Sequence, residues 1–103
     1  MQRFVDLFNR KIRLSEEIIK HILERPEMLN QEGKIKETLS NPELIKGSVS
    51  DENVVIYYRH YTTTPVTSKY LAVIVKLEAT ENFIISAYFT NRIKKGELVW
   101  EKN

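Results

Sequence analysis

The chain has no cysteine. Disulfides, thiolate metal centres and cysteine nucleophiles are excluded together, and the composition suits a reducing compartment, so a cytoplasmic location is expected. Only three glycines and three prolines punctuate the 103 residues. Connections should be short, with no linker between separate domains, and the length is that of one domain with one core. No apolar run approaches the roughly 20 residues needed to cross a bilayer. Asp6 interrupts the first stretch, so neither a membrane span nor a secretory leader is expected. A strong charge of either sign is also missing: the formal net charge is +2. That is weak for a protein that holds nucleic acid by charge alone, so such a role requires a local basic patch. The sequence contains no HExxH, no Gly-rich phosphate loop, no GxSxG elbow and no paired carboxylates at catalytic spacing. Two histidines without carboxylates at ligand spacing do not form a zinc site. No metal and no cofactor are expected.

What is present divides the chain in two. Residues 3–14 hold two short apolar pieces around Asn9-Arg10, which suggests a small hairpin or an extended arm. Ser15 followed by Glu16 and Glu17 marks a helix start: the hydroxyl caps a free amide and the acids favour the positive end of the dipole. Ile18, Ile19, Ile22 and Leu23 follow at helical spacing, and Pro26 ends the helix at Arg25. A second helix is expected from about Asn30 to Leu39, stopped by Asn41-Pro42. Residues 44–49 fit a short strand or a turn. Three strands then read clearly: Asn53–Tyr61, the nearly continuous apolar run Lys69–Leu77, and Asn82–Thr90. Short turns between them require antiparallel pairing. The basic cluster Arg92, Lys94 and Lys95 before Gly96 fits a solvated turn, with Trp100 anchoring a last short strand or the chain end. The expected fold class is α+β in a single domain, 1–103: N-terminal helices packed on a three- to four-stranded antiparallel sheet.

Several residues have chemistry to offer. His21 and Arg25 project from the same side of the first helix, at the border of its apolar stripe. Ordinary surface or boundary packing explains that position better than a cleft does. Arg59 and His60 are adjacent on a strand and so point to opposite faces: Arg59 aligns with Val55 and Tyr57, His60 with Ile56 and Tyr58. Strict alternation along Asn82–Thr90 puts Ile84, Ser86, Tyr88 and Thr90 on one side, opposite Phe83, Ile85, Ala87 and Phe89. The three hydroxyls fit a half-exposed sheet face, or a platform for a phosphate that Lys69 could reach from the neighbouring strand.

Taken in order, several stretches form a recognisable pattern. Asp6-Leu7-Phe8 and Ile12-Arg13-Leu14 lead into His21-Ile22-Leu23-Glu24-Arg25-Pro26-Glu27-Met28. Ile35-Lys36-Glu37-Thr38-Leu39 and Asn41-Pro42-Glu43 follow. Then come Tyr57-Tyr58-Arg59, Lys69-Tyr70-Leu71, and Ala87-Tyr88 with Ile93-Lys94-Lys95-Gly96. This order, covering most of the chain, resembles small bacterial and phage-associated proteins assigned to the barnase–EndoU–colicin–RelE nuclease fold. The resemblance implies helices on a four-stranded antiparallel sheet and an endoribonuclease that needs no metal. In that chemistry the 2′-hydroxyl attacks the adjacent phosphate and leaves a 2′,3′-cyclic phosphate. It needs an acid, a base and cations around the extra phosphorane charge. Carried over residue by residue, it implies His21 as acid or base, with Arg25, Arg59 and Lys69 holding phosphate. Tyr88 or Thr90 would orient the substrate or move a proton, beside Ser86. Where relatives carry a second histidine before the proline, this chain has Arg25; His60 compensates only if it enters the same cleft. A toxin role further implies RNA as substrate and an acidic, antitoxin-like partner. Two alternatives keep the fold and drop the chemistry: a non-catalytic RNA- or protein-binding module, and an interaction protein that dimerises through an exposed sheet edge.

Overall fold

A computed structural model describes residues 1–103. The three strong strands lie where the apolar and β-branched runs place them. We label the strands β1 (Gln2–Val5), β2 (Lys11–Leu14), β3 (Leu44–Gly47), β4 (Val54–Tyr61), β5 (Lys69–Leu77), β6 (Asn82–Thr90) and β7 (Leu98–Glu101). The helices are α1 (Glu16–Ile22) and α2 (Glu32–Ser40), with one 3-10 turn over Pro26–Met28 between them. Ser15 caps α1 as its chemistry requires, its Oγ accepting from the Ile18 amide at 3.2 Å. Arg25 is already extended, as the following proline demands.

All seven strands join one sheet in the order β1-β2-β6-β5-β4-β3-β7. Neighbours from β3 to β6 pair antiparallel, as their short connections require. β2 pairs with β6 in parallel, through Ile12↔Asn82 and Arg13↔Phe83. The expectation of helices packed on a three- to four-stranded antiparallel sheet is therefore corrected. The sheet is mixed and seven-stranded, and the chain is 41% strand against 18% helix. The reason is physical. β1, β2, β3 and β7 have four residues each, too few for a two-residue period to stand out, and the pairings that extend the sheet, β2 with β6 and β3 with β7, join residues far apart in sequence.

The helices cover one face only. Ile22, Met28, Ile35 and Leu39 pack there against Phe4, Ile12, Leu14, Tyr57, Val73 and Ile84. A buried polar network closes this face at the β1–β2 turn. The Asp6 carboxylate accepts from the amides of Phe8 (3.0 Å) and Arg10 (2.8 Å), from Arg10 Nε (2.9 Å) and from the Tyr57 hydroxyl. Tyr57 in turn accepts from Arg10 Nη2 at 3.0 Å. The opposite face has its own smaller apolar cluster of Val54, Ile56, Tyr58, Ala72 and Ile74, with no helix over it. No helix of the chain is long and apolar enough to cross a membrane.

Candidate functional site on the open sheet face

Pairing register decides which side chains share the open face. His60 is opposite Tyr70, and Tyr70 opposite Thr90. One step along, Tyr58 is opposite Ala72, and Ala72 opposite Tyr88. These two rows form an aromatic and hydroxyl cluster near the C-terminal end of β4. The His60 ring meets Tyr70 edge to face, with centroids 4.9 Å apart, and Tyr58 meets Tyr70 the same way at 6.3 Å. His60 Nε2 lies 3.0 Å from Ser68 Oγ in the β4–β5 loop. The residue before that serine, Thr67, has φ of 80°. A β-branched residue in the left-handed region is strained, and such strain collects where a loop must hold a group in place.

Ser86, Tyr88 and Thr90 share this face, as the sequence suggested, but Ile84 does not. The register shifts from Ile74↔Ser86 to Val75↔Ile84, so Ile85 is an extra residue in a β-bulge. Ile84 is consequently buried in the helix-side core while Ile85 packs on the open side. Strict alternation across the whole strand is corrected at that point.

Arg25 reaches the cluster from the end of α1, its guanidinium carbon 5.2 Å from the Tyr88 ring centre. The two nominated residues meet in a cation–π contact. His21, four residues earlier, is exposed and lies 3.6 Å from Glu24 through Nδ1.

Arg59 stands on the other side of the sheet from His60. Its neighbours there are Glu37, whose Oε1 is 3.5 Å from Nε, the Asn41 carbonyl at 2.9 Å from Nη1, and the face of Tyr61. Tyr61 donates to Glu37 Oε1 at 2.7 Å. Burial, reinforced by that carboxylate, pushes the Tyr61 hydroxyl up to about 12. This group ties α2 to β4. Lys69 is opposite Tyr61, and its ammonium donates to Asn91 Oδ1 at 2.7 Å. Of the nominated residues, the register thus brings His60, Tyr88, Thr90 and Ser86 onto the open face with Arg25 at its margin, and leaves Arg59 and Lys69 behind the sheet.

Sequence reasoning missed what lies across the open face. To reach the far edge, the chain from Asn91 to Glu97 crosses over β5, β4 and β3. This strap is pinned in three places. Ile93 packs on the open-face apolar cluster, the Lys94 amide donates to the Tyr58 hydroxyl at 3.0 Å, and Gly96 sits directly on Gly47. The supposed solvated turn is a basic strap: Arg92, Lys94 and Lys95 are exposed along it. Beside it runs a groove of about 890 Å³, with Val54, Ile56, Ile74 and Ile85 as its floor. Tyr58 was aligned with His60 on one face but not nominated, and Tyr70 was missed, although its register opposite His60 joins the same face.

Charge follows the same division. The helical segment 15–40 carries six acids and four bases; the remainder carries eight acids and twelve bases. On the open side the uncompensated bases are those of the strap, Arg92, Lys94 and Lys95; the recess at the hairpin end holds Arg3, Lys11 and Arg13 beside Glu78 and Glu81, with Arg13 3.0 Å from Glu81. No group of three or more His, Asp and Glu side chains is gathered at metal-ligand spacing. No protein-family model matches the chain, and neither a curated protein nor a solved structure does.

Proposed function

We propose that the protein is an endoribonuclease that works on its open sheet face without a metal ion, inside the cytoplasm. The observation that carries this reading is the placement of His60. It stands on the helix-free face against half-buried Tyr70, near half-buried Tyr88, with Arg25 at the rim, while fully buried Tyr58 supports the cluster from within. Every nucleobase has a π-face that stacks on aromatic side chains, and cations track the phosphates. An imidazole changes charge near neutral pH and suits proton transfer there. Neighbouring strands are roughly 5 Å apart within each row, and the two rows are two residues, about 7 Å, apart, so a short single strand fits across them. In the proposed step the 2′-oxygen bonds to phosphorus as the bond from phosphorus to the 5′-oxygen breaks. The proton leaves the 2′-hydroxyl and another reaches the 5′-oxygen. His60 serves one of these transfers, and Arg25 holds the phosphorane charge.

One observation favours a second reading, binding without cleavage. The cluster contains a single imidazole, while His21 is engaged with Glu24 on α1. In either case an acidic, antitoxin-like protein would find its charge complement on the same basic face.

The test is to incubate the wild type, His60→Ala and His21→Ala with mixed tRNA and mRNA in EDTA and to analyse fragment ends. Cyclic-phosphate ends from wild type and His21→Ala, but not from His60→Ala, support the assignment. Loss in His21→Ala alone returns the chemistry to α1. Intact RNA with folded wild type rules out cleavage of these substrates and leaves the binding reading.

A further inference from the structure

The groove beside the strap has a composition that the aromatic cluster lacks. Its floor is aliphatic, from Ile56 and Ile74 at the centre to Ile85, the bulge residue, at the side. Its wall on the strap side is cationic, with Arg92 and Lys95 exposed and no salt-bridge partner for either. Its opposite wall offers the hydroxyls of Ser48 and Ser50, 3.1 Å apart. The one carboxylate on the rim, Asp51, is neutralised by Lys76, whose ammonium lies 2.5 Å from its Oδ2. A flat apolar surface, a positive edge and hydroxyls on the far side complement three parts of one chemical unit: the faces of a base, its phosphate and its polar edge.

Resting on the RNA reading above, we infer that this groove is a nucleotide subsite that holds a base two or more positions away from the scissile bond. Its volume is within the range of small-molecule sites. Continuity supports the same assignment. The strap that forms its wall is fastened to Tyr58, and Ile93 packs on the cluster that also includes Tyr70 and Tyr88. The strap fastened at Tyr58 lies between the His60 row and the groove, so a strand that reaches both passes over its exposed Arg92, Lys94 and Lys95. The bulge at Ile85 turns an additional apolar side chain toward it, which regular alternation would have sent into the helix-side core.

The test uses 2′-O-methyl oligonucleotides, which cannot be cleaved, in lengths from two to eight, with affinity read by fluorescence anisotropy. Wild type is compared with Val49→Asp, which lies in the groove wall between Ser48 and Ser50, with Arg92→Ser/Lys95→Ser and with a charge-matched control, Lys20→Ser/Lys36→Ser. All these positions are exposed, so the fold should survive; circular dichroism checks this. Wild-type affinity should climb with length until the strand spans both regions. The two groove variants should lose about tenfold on the longer strands and nothing on dinucleotides, while the helix-side control loses little. Equal binding by wild type and groove variants at every length overturns the subsite and leaves the His60 row in place. Failure of wild type to bind any length overturns the RNA reading itself. Saturation of the groove by 5′-AMP with no gain from a longer strand overturns the strand path in favour of a free-nucleotide site.

Discussion

Replacing Gly96 by alanine probes the strap directly. The new Cβ would be 2.0 Å from the carbonyl oxygen of Gly47 and 3.2 Å from its carbonyl carbon. Both atoms belong to the backbone of β3, so no side chain can swing away to relieve the overlap. The backbone of Gly96 itself is not in the left-handed region, and the cost is steric only. The strap must lift by about 1 Å or more, which is the scale of a lost contact. Lifting weakens the bond from the Gly47 amide to the Glu97 carbonyl, now 2.8 Å, and that from Lys46 Nζ to the Gly96 carbonyl, now 3.3 Å. Overpacking costs about 1–3 kcal/mol and each neutral hydrogen bond about 1 kcal/mol. A loss of about 2–4 kcal/mol is expected, which lowers the melting temperature of a domain this size by about 10 °C or more. Thermal unfolding followed by circular dichroism measures the loss, and hydrogen exchange at the Lys94 amide locates it. A melting temperature within about 2 °C of wild type, with the Lys94 amide still protected, would show that the strap does not rest on Gly47.

Further outcomes follow from the other face. Tyr57→Phe removes one donor from the buried Asp6 carboxylate and one acceptor from Arg10. Urea unfolding should show a loss of about 1.5–3 kcal/mol, the range for a hydrogen bond to a charged group. Glu37→Gln loosens Arg59 and Tyr61 at a half-exposed site, so its cost should stay near or below about 1 kcal/mol. Alkaline titration tests the tyrosines. Burial raises Tyr57, Tyr58 and Tyr61 above the ordinary tyrosine value, Tyr61 to about 12. The folded state thus keeps protons that the unfolded chain releases near 10, and stability present below pH 10 is lost as pH rises toward 12. Phenolate absorbance should lag behind that of the urea-unfolded chain across this window; coincident curves would contradict the burial argument.

How much of this was readable in advance depends on locality. β5 and β6 were legible to the residue because Lys69–Leu77 and Asn82–Thr90 are long, apolar runs with polar ends. The start of α1 was legible because Ser15 and its acids act within one turn. The opposition of Arg59 and His60 was legible from alternation, and the register then shows which of them the helices cover. The parallel pairing of β2 with β6 was not legible: it joins residues about 70 positions apart, and four-residue strands carry no period to announce it. The bulge at Ile85 was hidden for a related reason, since nothing within Phe-Ile-Ile-Ser marks which residue loses its partner. The strap was misread because Arg-Ile-Lys-Lys-Gly has the composition of a solvated turn. Only the sheet order, which sends β7 beyond β3, forces that segment across the face and gives Ile93 and Gly96 their roles.

The most direct test of the central claim is a residue-resolved NMR titration of the wild-type protein with a short, uncleavable single-stranded RNA. Amide shifts should be confined to Tyr58, His60, Tyr70, Tyr88, Thr90 and the strap from Arg92 to Lys95, with α2 and the Arg59–Glu37 pair silent. Shifts centred on α2 and Arg59, or a saturating excess of RNA that moves no open-face amide, would contradict it.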